Sequence, residues 1–196
     1  LVGYILTMVV SFVVAFAVSW FMGIKEEVPA ETEIPDEVKN ESAVPDNVVL
    51  SPLSGRAVAH ESVPDATFAQ GVLGQGAAIE PSEGRVTAPA DGTVSTIFDT
   101  HHAVGLTLDN GAELLIHIGI NTVELNGEGF TAHVSEGDRV TRGQTLITFD
   151  KEFIASKGYN TITPVIVSNS DDYAEIKRIG DGNISAGGVL LELAKG

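Results

Sequence analysis

The chain has 196 residues, no cysteine, 11 basic against 27 acidic side chains and a formal net charge of −16, with a sequence pI near 4.5. It lacks the clustered Lys and Arg that neutralise phosphates, which argues against nucleic acid as a partner. The missing cysteine excludes a disulfide framework, a Cys-type zinc site and a cysteine nucleophile within the chain.

Mean hydropathy is nevertheless positive, at +0.18, because apolar residues concentrate at the N-terminus. Residues 1–24 carry no charged side chain, enough for a helix to cross a hydrocarbon core of roughly 30 Å at about 1.5 Å per residue. This predicts a transmembrane helix; a secretory signal would have a basic leader and a shorter apolar core. Trp20 and Phe21, close to Lys25, resemble an interfacial belt. The chain opens on Leu1 rather than Met, and the expectation is the tail of a longer protein, with this span the last of several or a lone anchor. Residues 25–47 turn to Glu, Pro, Asp, Ser and Ala, the composition of an acidic linker whose self-repulsion and prolines keep it extended.

Residues 48–196 suffice for one domain with its own core. Short apolar runs alternate with turn signals at residues 85–98, 103–118, 138–150, 163–169 and 187–193. The A-D-G, D-N-G and E-G-D turns between them predict an all-β fold, a flattened antiparallel β-sandwich or barrel. One short helix is expected at Asp150 to Ser156, capped by Asp150. Residues 88–94 and 134–146 share a pattern, as paired segments of barrel-sandwich hybrids do.

His117 stands at the end of an apolar strand, E-L-L-I-H-I, that runs into a glycine-rich turn. His102 lies fifteen positions upstream, the offset expected for adjacent antiparallel strands joined at Asp109 to Gly111. Paired histidines suit phosphoryl handling or metal binding, and the plain alternative for His117 is a hydrogen-bonded core residue. Strand alternation would turn His101 to the opposite face and into solvent. His60 and His133 are expected at the surface.

Several long motifs in order then carry a resemblance: S-P-L-S-G from Ser51, I-E-P-S-E-G-x-V-x-A-P-x-D-G-T-V at Ile79 to Val94, T-x-H-A at Thr100 to Ala103, H-I-G-I-N-T-V-E-L-x-G-E-G-F at His117 to Phe130, and S-N-S-D at Ser168 to Asp171. Residues 48–196 resemble the glucose-type enzyme IIA domain of the bacterial phosphoenolpyruvate-dependent sugar phosphotransferase system. A membrane span and acidic linker before it are similar to fused β-glucoside and sucrose permeases. The resemblance implies that His117 accepts a phosphoryl group from the carrier HPr and passes it to a cysteine of a IIB domain. Sugar would be bound by a membrane IIC domain, and this domain would lie in the cytoplasm at the inner membrane. With no cysteine here, the IIB acceptor has to lie upstream in the full-length polypeptide or on another protein.

A neutral imidazole is a competent nucleophile, and exchanging one phosphorus–nitrogen bond for another is nearly balanced in free energy. Gly119 would let a backbone carbonyl accept the other ring N–H and fix the tautomer, His102 would donate to the phosphoryl oxygens, and Thr100 would orient His102. Asn121 stands where the glucose-specific members have an aspartate, which removes a negative charge but not the nucleophile. Asp171 matches a family acid near the site, or else serves as a turn residue. Val104, Ile118 and Ile120 are expected to form an apolar docking ring. No cofactor is expected: His102 and His117 leave a tetrahedral zinc site incomplete, so zinc would bind only transiently, with a partner's carboxylate.

Three other readings have weaker support. A lipoyl or biotinyl carrier shares the A-P-A-D-G pattern but needs a lysine on a tight hairpin. A cell-wall zinc endopeptidase needs a third ligand in H-x-H and H-x-x-x-D spacing. A regulatory binding module would use the same fold without transfer.

Overall fold

A computed structural model describes residues 45–196; the expected span at 1–24 and the linker up to residue 44 lie outside the described residues. Strands β1 (Val48–Leu50), β2 (Gly55–Ala59) and β3 (Gln75–Pro81) come first, with helix α1 (Ala66–Ala69) between β2 and β3. Then follow β4 (Arg85–Thr87), β5 (Gly92–Ile97), β6 (Ala103–Leu108) and β7 (Glu113–His117). The chain continues through β8 (Phe130–Ala132), β9 (Arg139–Val140) and β10 (Thr145–Phe149) to helix α2 (Lys151–Ser156). It closes with β11 (Thr163–Val167), β12 (Glu175–Arg178), β13 (Gly182–Ile184) and β14 (Val189–Ala194).

The fold is all-β and antiparallel, as the turn spacing predicts. An eight-stranded sheet runs β13-β2-β3-β11-β7-β6-β5-β9, beside two three-stranded sheets, β1-β14-β12 and β4-β10-β8. Strand β11 is buried along its whole length. Its alternate side chains serve two faces: Val165 and Val167 enter the main core with Leu106, Leu114 and Ile116, while Ile166 joins Phe68, Ile120 and Ile162 on the other face. Burying Val165, Ile166 and Val167 on both faces removes water from the sheet's centre, worth about 1.5–3 kcal/mol for each large side chain. That second, smaller cluster is the floor of the functional site.

The D-N-G turn closes β6 onto β7 with Gly111 at φ +92°, a conformation that glycine reaches without steric cost. Asn110 Oδ1 accepts the Ala112 N–H at 3.0 Å, an Asx closure. The two segments with a shared pattern lie side by side, Gly92 pairing with Val140 and Thr93 with Arg139. Asp150 caps α2 by accepting from Phe153 N at 2.8 Å. Strands β1, β2, β3, β8, β12 and β13 and helix α1 lack a strong periodic signal, being short or, in β2 and β3, rich in Gly and Ala.

Candidate functional site

The register of the β6–β7 ladder pairs Ala103 with His117, and the Ile118 N–H donates to the His102 carbonyl at 2.7 Å. The two histidines are thereby brought together at one end of the hairpin. Their rings meet edge to face with centroids 4.8 Å apart. Since Ile116 faces the main core, alternation puts His117 with Leu115 on the face of the smaller cluster. There Phe68, carried by α1, lies over it at 5.1 Å. Phe98 covers His102 at 5.4 Å.

His117 Nδ1 lies 2.8 Å from the Gly119 carbonyl. A carbonyl only accepts, so Nδ1 carries the proton and Nε2 keeps its lone pair. Burial pushes the His117 pKa below its usual value, opposed by the Gly119 carbonyl and the negative charge of Asp65. His102 is 5% exposed, and burial, with a smaller contribution from His117, lowers its pKa to about 4. Both rings are therefore neutral at pH 7. Thr100 Oγ1 sits 2.5 Å from His102 Nδ1. If the hydroxyl donates, His102 presents Nε2–H, the form that can donate to an anionic group between the rings.

Asp65 was not among the residues picked out from the sequence. Its side chain accepts from Thr67 N at 2.9 Å and Phe68 N at 3.4 Å, so the acid that caps α1 also brings charge towards His117. The available signal was V-P-D before an apolar stretch, a common N-cap pattern. Asn121 is exposed and adopts φ 59°, a left-handed conformation that Asn tolerates better than most residues.

Other expectations need correction. Val104 and Ile118 are 0% exposed and Ile120 is 6% exposed, so they are core residues and cannot form a docking ring. Val104 and Ile118 pack in the main core, Ile120 against Phe68 and Ile162. Large exposed apolar side chains occur instead at Phe98, Val123, Val72 and Leu73. Phe98 touches His102, Val123 lies on the turn after Gly119, and Val72 and Leu73 follow α1.

Asp171 lies on the exposed turn Ser170–Asp172, whose neighbour Asn169 bonds to Gly111 and Glu113 at the opposite end of the hairpin. The structure therefore places it away from the histidine pair. His60 is 7% exposed, its Nδ1 3.1 Å from the Gly76 carbonyl, so it belongs to the interior rather than the surface. His101 is half-buried in a left-handed turn at φ 55°, where strand alternation does not apply. His133 is exposed and contacts Thr148 at 2.9 Å. Among the described residues no cluster of three His, Cys, Asp or Glu side chains forms a metal site.

Residues 47–173 match the family model described as phosphoenolpyruvate-dependent sugar phosphotransferase system, EIIA 1. The chain is 43% identical over 189 residues to the PTS system beta-glucoside-specific EIIBCA component of Dickeya chrysanthemi, covering 93% of this chain but 30% of that protein. It is 46% identical over 160 residues to the glucose-specific EIIA component of Halalkalibacterium halodurans, covering 81% of this chain and 92% of that protein. Among solved structures, glucose permease IIA from Mycoplasma capricolum is similar at TM-score 0.69 and 33% identity, over 74% of this chain and 93% of that one. The chain thus spans less than a third of the length of its beta-glucoside relative and most of a freestanding EIIA component.

Proposed function

We propose, because this chain belongs to the EIIA 1 family of the phosphoenolpyruvate-dependent sugar phosphotransferase system, that His117 is the residue through which it relays phosphoryl groups. The observation that carries this reading is the 2.8 Å contact of His117 Nδ1 with the Gly119 carbonyl, which leaves Nε2 as the nucleophile.

The Nε2 lone pair attacks phosphorus in line, forming a new P–N bond as the P–N bond to the HPr phosphohistidine breaks and its electrons return to that ring. In the second half-reaction a IIB thiolate attacks the same phosphorus and the electrons of the His117 P–N bond return to Nε2. Charge spreads over three phosphoryl oxygens in the transition states, and His102, held by Thr100, supplies a donor towards them as the group leaves for IIB. A neutral His117 at pH 7 is already in its reactive form, so no proton has to leave before attack.

The exposed apolar side chains Phe98, Val123, Val72 and Leu73 fit a docking surface that excludes water around the phosphoryl group. HPr and a IIB domain would use it in turn, since both must reach one nitrogen. The domain would face the cytoplasm, with residues 1–24 as the membrane span and a IIC domain as the sugar-binding part of the transporter. The absence of cysteine places the IIB acceptor outside this sequence, and the EIIBCA name of the beta-glucoside relative supports a fused arrangement. Zinc, if it bound His102 and His117, would need a partner's carboxylate.

The test is intact-mass analysis of the chain after incubation with phosphoenolpyruvate, enzyme I and HPr. An acid-labile gain of one phosphoryl group is expected, and His117→Ala should abolish it. No gain in the wild type would favour a regulatory binding module.

A further inference from the structure

The Gly119 carbonyl that holds the His117 proton belongs to the 119–120 peptide, and in a trans peptide the C=O and the following N–H point in opposite directions. On the far side of that plane the Ile120 N–H donates to the Asn160 carbonyl at 2.9 Å. One rigid peptide thus links the two bonds: Asn160 accepts from Ile120 N, and Gly119 O accepts from His117 Nδ1. Each bond polarises the next.

The preceding peptide is held as well. Thr122, 0% exposed, donates its hydroxyl to the Ile118 carbonyl at 2.5 Å. Gly119 itself adopts φ +74° in a space so tight that a Cβ would lie 2.6 Å from Thr122 Cγ2 and 2.8 Å from the Asn160 carbonyl. Asn160 fixes its own segment by accepting from Ile162 N through Oδ1 at 2.8 Å. Glycine makes a peptide turn-over cheap. The restraint comes from Thr122 on one side and Asn160 on the other.

We infer that Thr122 and Asn160 are positioning residues for phosphoryl transfer, holding the 119–120 peptide so that its carbonyl keeps the proton on His117 Nδ1 and leaves Nε2 free to attack phosphorus. Without them the peptide can rotate its carbonyl away. Nδ1 then loses its acceptor, the Nε2–H tautomer gains population, and the lone pair moves to the nitrogen that does not face the phosphoryl donor.

This inference rests on His117 being the nucleophile, and the experiment separates the two claims. In the chain labelled with 15N at histidine, NMR reads the His117 tautomer without any phosphoryl donor, and a parallel assay reads the rate of phosphorylation from phospho-HPr. Thr122→Val removes the hydroxyl and keeps the shape. It should raise the Nε2–H fraction and slow phosphorylation at least tenfold, and Thr122→Ser should restore both. Asn160→Ala, at an exposed side chain, should shift both readouts the same way by less, without disturbing the core. An unchanged tautomer in both Thr122→Val and Asn160→Ala would overturn the inference. A shifted tautomer in a protein that never accepts a phosphoryl group would uphold the positioning and reject the relay.

Discussion

The two ends of the β6–β7 hairpin are made by the same pair of strands and are closed in opposite ways. At Asp109–Ala112 the closure is polar and open: Asn110 closes its own turn, and Asn169, from a segment far along the chain, adds bonds to Gly111 O and Glu113 N at 3.0 and 2.9 Å. A Cβ on Gly111 would meet nothing within 4 Å. At the other end, five residues or roughly 17 Å away along β7, the closure comes from Phe68, Phe98, Thr122 and Asn160. There the backbone is crowded and both imidazoles are held neutral by burial. The difference teaches that polar bonds around an open turn hold the scaffold, whereas burial and close packing around a crowded backbone shape the chemistry.

Substitutions at the two ends should therefore differ in kind. The largest effect beyond loss of the nucleophile is expected for His102→Gln. His117 should still accept a phosphoryl group, while onward transfer to a IIB domain falls on the order of 10²-fold or more, in line with removing a preorganised donor. Equal loss in both half-reactions would assign His102 to the structure of the pocket instead.

The same variant sharpens the electrostatic side of the comparison. With His102 at about 4 in the folded protein and an ordinary value of 6.5, the unfolded chain takes up a proton that the folded one refuses. Stability should then fall as pH drops from about 6.5 to about 4 and lose nothing more from this residue below that. His102→Gln should reduce the drop in urea midpoint between pH 7.5 and pH 5; parallel drops would show that burial of this ring carries no such penalty.

Val123→Glu comes next. It adds a charge at an exposed apolar position, so HPr affinity should fall about tenfold or more while the urea midpoint moves by no more than about 0.5 kcal/mol equivalent. Unchanged affinity would remove Val123 from the docking surface.

The smallest effect on chemistry is expected at the turn end. Asn169→Ala deletes bonds to Gly111, Glu113 and Asp172 and should cost about 1–2 kcal/mol of stability, with phosphorylation of His117 within twofold of wild type. A large loss of phosphorylation would mean that the two ends are coupled through the strands.

Much of this was legible in the sequence for a physical reason. Alternation of apolar residues and turn glycines is local, so the hairpin, the D-N-G turn and the Asp150-capped helix can be read from neighbouring residues. The histidine pair also followed, because a fifteen-residue offset across one turn leaves little freedom of register. The docking residues were misjudged because an apolar side chain beside the nucleophile looks the same in sequence whether it points to the core or to solvent. Val104 and Ile118 sit in the core, while Val123 and Phe98 face out from irregular backbone where no period applies. His60 was misplaced, and Asp171 was left between a site acid and a turn residue, for the same reason: the partners that locate them, Gly76 for His60 and Gly111 for the turn of Asp171, are far along the chain.

The sequence by itself determined the all-β class and the family and pointed to the imidazole proposed to react, since these rest on periodicity, turn chemistry and motif order. Only the tertiary structure decided which nitrogen of His117 is free, which acid stands near it and which apolar side chains cover it. Those depend on contacts between segments separated by tens of residues, and the distances and directions of such contacts exist only after the sheet has closed.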